Sequence, residues 1–120
     1  MKTRKSVLLV DDELAILRVI SIKLKISGYR VITAPSGREA LNLIKTECPD
    51  IMLLDVIMPG IDGFEVLEQL RTFSKLPVIV FSARPENSQK ALSLGANDFL
   101  PKPFDVDDMI RRIERLLVTS

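Results

Sequence analysis

The chain has 120 residues, of which 47% are hydrophobic and 28% charged, a balance that suits one domain with a packed core and excludes a disordered tail or a membrane bundle. Its 17 basic and 16 acidic residues leave a net charge of +1, so no general field draws it to nucleic acid or anionic lipid, and direct DNA binding would need another domain. With no histidine and a single cysteine, Cys48, an internal disulfide and the usual Zn²⁺ and Cys/His nucleophile sets are excluded, and a reducing cytoplasm is the expected setting.

In chain order, the opening MKTRKSVLLVDDE is basic, but its apolar run spans only Val7 to Val10 and ends in three acids. It is therefore expected to be a first strand and not an export signal. A helix is predicted from about Glu13 to Ser27, stopped by Gly28, which takes the left-handed conformation after a helix most readily. Tyr29 to Ala34 reads as the second strand. Ser36, Gly37, Arg38 and Glu39 form a capping-box pattern opening the second helix. Cys48 falls in the loop beyond it, where it reads as an unremarkable thiol.

Ile51 to Leu54 is the third strand, and Met58, Pro59 and Gly60 suit a type II turn. The third helix follows Asp62 and Gly63, with Glu65 completing a second box, and runs to about Arg71. Val78 to Phe81 gives a fourth strand and Glu86 to Leu94 a fourth helix ended by Gly95. Asp98 to Leu100 is a weaker fifth strand, and a fifth helix starts behind Asp105 and runs to about Val118. Alternating strands and helices, with three strands continuously apolar, predict a doubly wound α/β domain over residues 1–120, its parallel sheet covered by helices on both faces.

Polar residues gather where the apolar strands end: Asp11 and Asp12, Asp55, Ser82 and Lys102. Right-handed crossovers bring the carboxyl ends of parallel strands to one edge, where such sheets bind ligands. Singly, each has a plain explanation: Asp12 as a helix cap, Asp55 as a turn opener, Ser82 and Lys102 as solvent-facing side chains. Together they are harder to dismiss, because three carboxylates about 5 Å apart repel by about 3 kcal/mol per pair at an effective dielectric near 20. A hard cation, Mg²⁺ or in substitution Mn²⁺, is the expected partner, leaving room in its shell for phosphate oxygens. Asp55, at the centre of that edge, is the best-placed carboxylate to take a phosphoryl group.

The segments VLLVDDE at 7–13, LLDVIMPGIDG at 53–63, VFSA at 80–83 and FLPKPF at 99–104 resemble the response regulator receiver family, and the likeness spans essentially the whole chain. It implies a (βα)5 fold with strand order 2-1-3-4-5. It also implies a phosphorylation-activated switch, not an enzyme, in a two-component phosphorelay. By the same resemblance Asp55 is the phosphoacceptor, Asp12 and Asp55 ligate Mg²⁺ directly, Asp11 does so through water, and Ile57 offers its backbone carbonyl. Lys102 pairs with the phosphoryl group and is followed by a cis bond to Pro103. Ser82 bonds that group, and Phe99 is the aromatic that turns inward on activation.

The partners so implied are a sensor histidine kinase or a histidine phosphotransfer protein on the input side. On the output side they are a further domain or a downstream protein at the face of the fourth helix, fifth strand and fifth helix. A phosphorylation-dependent homodimer is compatible with that face; a membrane is not expected as a partner. On the first helix, Leu17, Ile20 and Leu24 make the core stripe, while Ala15, Val19, Ile22 and Ile26 fall on a different face. The resemblance makes that second face the kinase-docking surface; the plainer reading is that Val19 and Ile26 only border the core.

Three departures accompany the resemblance. The chain is a little short near Arg84 to Ser88, Phe99 stands where Tyr is frequent, and Ile57 offers no polar side chain to orient attacking water, which predicts a long-lived phosphoaspartate. Asp108 and Arg112, one turn apart, weakly resemble the winged-helix transcription-factor class. Among rivals, a flavin-binding domain wants a Ser/Thr/Gly-rich phosphate loop where this chain has Asp11 and Asp12. A haloacid-dehalogenase-like phosphatase wants two aspartates separated by one residue. An unphosphorylated scaffold receiver would not need every site position filled.

Overall fold

Three five-residue strands, β1 (Ser6–Val10), β3 (Ile51–Asp55) and β4 (Val78–Ser82), are buried at every position, as their unbroken apolar runs demand. A computed structural model of the chain describes residues 4–119; Met1 to Thr3 of the basic opening, and Ser120, lie outside them. The edge strands β2 (Arg30–Ala34) and β5 (Asp98–Pro101) are partly exposed, which is why β5 reads weakly in sequence. The sheet is wholly parallel in the order β2-β1-β3-β4-β5, as expected.

Helices α1 (Leu14–Ile26), α2 (Gly37–Glu47), α3 (Gly63–Arg71), α4 (Asn87–Ser93) and α5 (Val106–Thr119) cover both faces. The pleat sorts the strand side chains between them. Val7, Leu9, Ile51, Leu53, Ile79 and Phe81 pack with Leu17, Ile20 and Leu24 of α1 and Met109 and Ile113 of α5. Leu8, Val10, Met52, Leu54, Val78 and Val80 pack on the other face with residues of α2 and α3 and with Ala91 of α4. No helix among the described residues is long and apolar enough to cross a membrane.

Local signals end the helices much as their chemistry predicts. Ser36 Oγ accepts from Glu39 N at 3.2 Å and Asp62 Oδ1 from Glu65 N at 3.0 Å, while Gly28 and Gly95 take positive φ. One end differs. The N-cap of α1 is Glu13, without a side-chain cap, so Asp12 is not held to capping. Helix α4 spans Asn87–Ser93 with Glu86 and Leu94 as its caps, matching the expected stretch, and is led in by a turn in which Arg84 O accepts from Asn87 N and Pro85 O from Ser88 N.

Two glycines fix the loop after β3. Gly60, with φ +76°, is the residue a type II turn needs after Pro59. Gly63 lies so close to that loop that a Cβ would sit 2.5 Å from both Asp55 O and Val56 Cα. The start of α3 is therefore pressed against the backbone that carries Asp55.

Candidate functional site

The site grows from the carboxyl ends of β1, β3, β4 and β5. Asp55 is the last residue of β3 and only 3% exposed; Asp11, directly after β1, is fully buried, and its neighbour Asp12 is exposed. Carboxylate oxygens of all three lie within 4.8 Å of one another, close to the separation anticipated. Lys102, just past β5, reaches Asp11 Oδ2 at 3.4 Å and Asp55 Oδ2 at 3.5 Å. Its backbone N–H donates to Ser82 O at 2.8 Å, its Nζ lies 5.0 Å from the centre of the Phe81 ring, and the peptide to Pro103 is cis.

Hydrogen bonds orient the two buried acids. Asp11 Oδ1 accepts from Glu13 N at 2.9 Å, and Asp55 Oδ1 accepts from Ile57 N at 3.0 Å. Burial pushes the Asp55 carboxyl up from 3.8 to about 6, and the Asp11 charge adds to that. The Ile57 amide and the Lys102 ammonium pull the other way without cancelling it. Three carboxylates facing one ammonium carry an excess of two negative charges once ionised. That excess, presented as hard oxygen donors, fits a divalent cation and no soft metal.

Ser82, the last residue of β4, is fully buried rather than solvent-facing. Its Oγ accepts from Arg84 N and from Asn87 Nδ2, each at 3.1 Å. Phe99 is half-buried against the α2–α3–α4 side of the core, and its carbonyl accepts from Arg112 Nη1 at 3.1 Å. The Ile57 side chain is 45% exposed, and Val19, Ile22 and Ile26 are 58%, 54% and 77% exposed, well beyond the border of the core, with exposed Ala15 beside them. A cleft of about 520 Å³ runs from Ala15 and Val19 of α1 to Lys102, Pro103 and Phe104, so the N-terminal part of that second face adjoins the site.

Several participants carry no sequence signal of their own. Asn87 is an ordinary polar residue until the fold sets it beside Ser82, and Phe81 reads as core until Lys102 lies across it. Arg112 pairs with Asp108 at 3.2 Å, as the one-turn spacing allows, but it also spans to Asp98 on β5 at 2.9 Å.

A model of the response regulator receiver domain matches residues 7–114. The receiver domain of Francisella response regulator 1452 superposes with a TM-score of 0.91 at 36% identity, covering 97% of this chain and 98% of that one. TrrA of Thermotoga maritima, solved in complex with Mg²⁺-BeF, superposes at 0.87 with 31% identity over 93% of this chain and 98% of that one. Response regulator MprA of Mycolicibacterium vanbaalenii is 44% identical over 114 residues, 92% of this chain and 49% of that protein. A probable transcriptional regulator, ycf27, of Guillardia theta is 39% identical over 119 residues, 98% and 47% respectively. The chain thus spans about half the length of these curated relatives. Strand order, the acidic edge and sequence likeness coincide along one stretch, and the chain belongs to the response regulator receiver domain family.

Proposed function

We propose that Asp55 is the residue on which this receiver domain is phosphorylated, and that the rest of the edge divides the work of receiving and reporting that event. The domain is a phosphoacceptor signalling module, not a turnover enzyme. One observation carries the assignment to Asp55: it alone is buried at the end of the central strand while facing both Lys102 and the other two acids. A carboxylate oxygen attacks the phosphorus of a phosphohistidine, the P–N bond breaks with its electrons going to the imidazole, and an acyl phosphate forms. Mg²⁺, or Mn²⁺ in its place, when held by Asp12, Asp55 and the Ile57 carbonyl with Asp11 acting through water, supplies neutralisation of the phosphoryl charge.

Lys102 does the protein's own share of that neutralisation, donating from Nζ to a phosphoryl oxygen. Ser82 supplies a hydroxyl to another. Charge-assisted bonds of this type contribute about 1.5–3 kcal/mol each, and two approach the roughly 5.5 kcal/mol that takes a two-state equilibrium from 1:99 to 99:1. Rotation of Ser82 vacates space for Phe99, which alters the α4–β5–α5 face offered to the output partner or to a second copy of the chain.

The exposed stripe Ala15, Val19, Ile22, Ile26 and the cleft beside it support docking of a histidine kinase or a histidine phosphotransfer protein on α1. Residues 1–120 are taken as a single receiver domain. The relatives named as transcriptional regulators are about twice as long, which supports an output in transcription exerted by sequence outside the aligned half. Intact-mass measurement after a small phosphodonor with Mg²⁺ tests the assignment. The wild type should gain one phosphoryl group and Asp55→Asn none, and equal labelling of both would sink it.

A further inference from the structure

Asn87 joins the phosphoryl-sensing hydroxyl to the first turn of α4. A serine hydroxyl has two acceptor lone pairs and one proton. In Ser82 the Arg84 amide and the Asn87 side chain fill both acceptor positions, leaving only the proton to give. Asn87 is the first residue of α4, a helix of seven residues with a single buried one, Ala91, so its core contacts hold it lightly.

The two ends of α4 are fastened in different ways. At its C-terminal end Arg71 of α3 donates to Gly95 O from Nε at 3.1 Å and from Nη2 at 2.8 Å, and also reaches Asn97 Oδ1 at 3.2 Å. Asn97 Oδ1 in turn accepts from Val78 N of β4 at 2.9 Å, so that end is tied to the sheet by bonds remote from the acidic edge. Along its length Lys90 lies 4.4 Å from the centre of the Phe64 ring. At the N-terminal end the side-chain tie to the sheet is the bond from Asn87 Nδ2 to Ser82 Oγ.

We propose that the Asn87–Ser82 hydrogen bond is a latch that holds both Ser82 and the N-terminal end of α4 in the resting arrangement, making Asn87 a positioning residue of the switch. The proposal rests on the reading of Asp55 as phosphoacceptor and Ser82 as its reporter, and adds the route from Ser82 to α4. When Ser82 rotates to give its proton to a phosphoryl oxygen, its lone pairs leave the Asn87 amide. The freed end of α4 then swings about Gly95, which Arg71 keeps in place. A neutral hydrogen bond of this kind biases an equilibrium by about two- to tenfold.

Two readouts on the full chain test the latch. With Mg²⁺ and beryllofluoride as the stable phosphoryl mimic, Asn87→Ala should bind the mimic about two- to tenfold more tightly than wild type, and the gain should vanish in a Ser82→Ala background. In metal-free, unphosphorylated protein the same variant should speed amide exchange across residues 87–91 while leaving 95–98 unchanged. Weaker or unchanged mimic binding, an equal gain with and without Ser82, or unaltered exchange at 87–91 overturns the latch. Phosphodonor labelling that survives Asp55→Asn would overturn the phosphoacceptor reading and the latch's trigger with it. Labelling lost in that variant, together with an Asn87 effect independent of Ser82, overturns the latch alone.

Discussion

A buried carboxylate with too few positive neighbours is a liability that a protein keeps for a reason, and Asp55 is such a group. The group titrates at about 6 in the folded chain against 3.8 ordinarily, so the folded state holds its proton more tightly than the unfolded one. Below 3.8 the difference vanishes. Stability falls as pH climbs from 3.8 to about 6 and stays lowered above that. Asp55→Asn should therefore raise the denaturant midpoint of metal-free protein at neutral pH and lose that advantage under acid; a gain of the same size at both pH values would contradict the account. Ile57 makes a second residue-scale prediction. Its exposed apolar side chain offers nothing to orient water beside the acyl phosphate, so Ile57→Asn should hasten hydrolysis of the phosphoaspartate severalfold. A lifetime unchanged or lengthened in a phosphate-release assay would count against that role.

At the scale of elements, α1 serves two masters, its inner stripe in the core and its outer stripe in water. Ile22→Lys combined with Ile26→Lys should slow phosphoryl transfer from a histidine kinase yet leave labelling by a small phosphodonor intact, since neither residue reaches the acidic edge; equal loss of both rates would argue for damage to the fold instead. Elements with strong local chemistry were legible in the sequence. Unbroken apolar runs gave β1, β3 and β4, while Ser36 and Asp62 marked helix starts that the backbone then used. Legibility failed where long-range contacts decide. Cys48, for one, adopts φ 47° with no glycine to announce it. The five strand-end residues of the site could be read because topology alone brings them together. Asn87 and Phe81 could not, because their contacts with Ser82 and Lys102 appear only once the chain has folded.

For the whole molecule, cation binding should be linked to folding. A cation held by the folded acidic edge and not by the unfolded chain adds about 2.7 kcal/mol when present at a hundred times its dissociation constant. Thermal unfolding should therefore shift upward with Mg²⁺, and Asp12→Ala should lose most of the shift; an undiminished shift would place the cation elsewhere. The sheet also sets how independently the molecule's surfaces can change. Phe81, beneath Lys102, belongs to the side of the sheet covered by α1 and α5, whereas the next residue, Ser82, bonds to α4 across on the other. A single peptide bond thus separates the side proposed to meet the donor from the side on which the proposed latch holds α4. Substitutions that retune which donor α1 accepts need not disturb the Ser82–α4 connection. A duplicated copy of this domain could acquire a new donor while keeping its old response, the freedom a cell needs to run many such pairs without crosstalk.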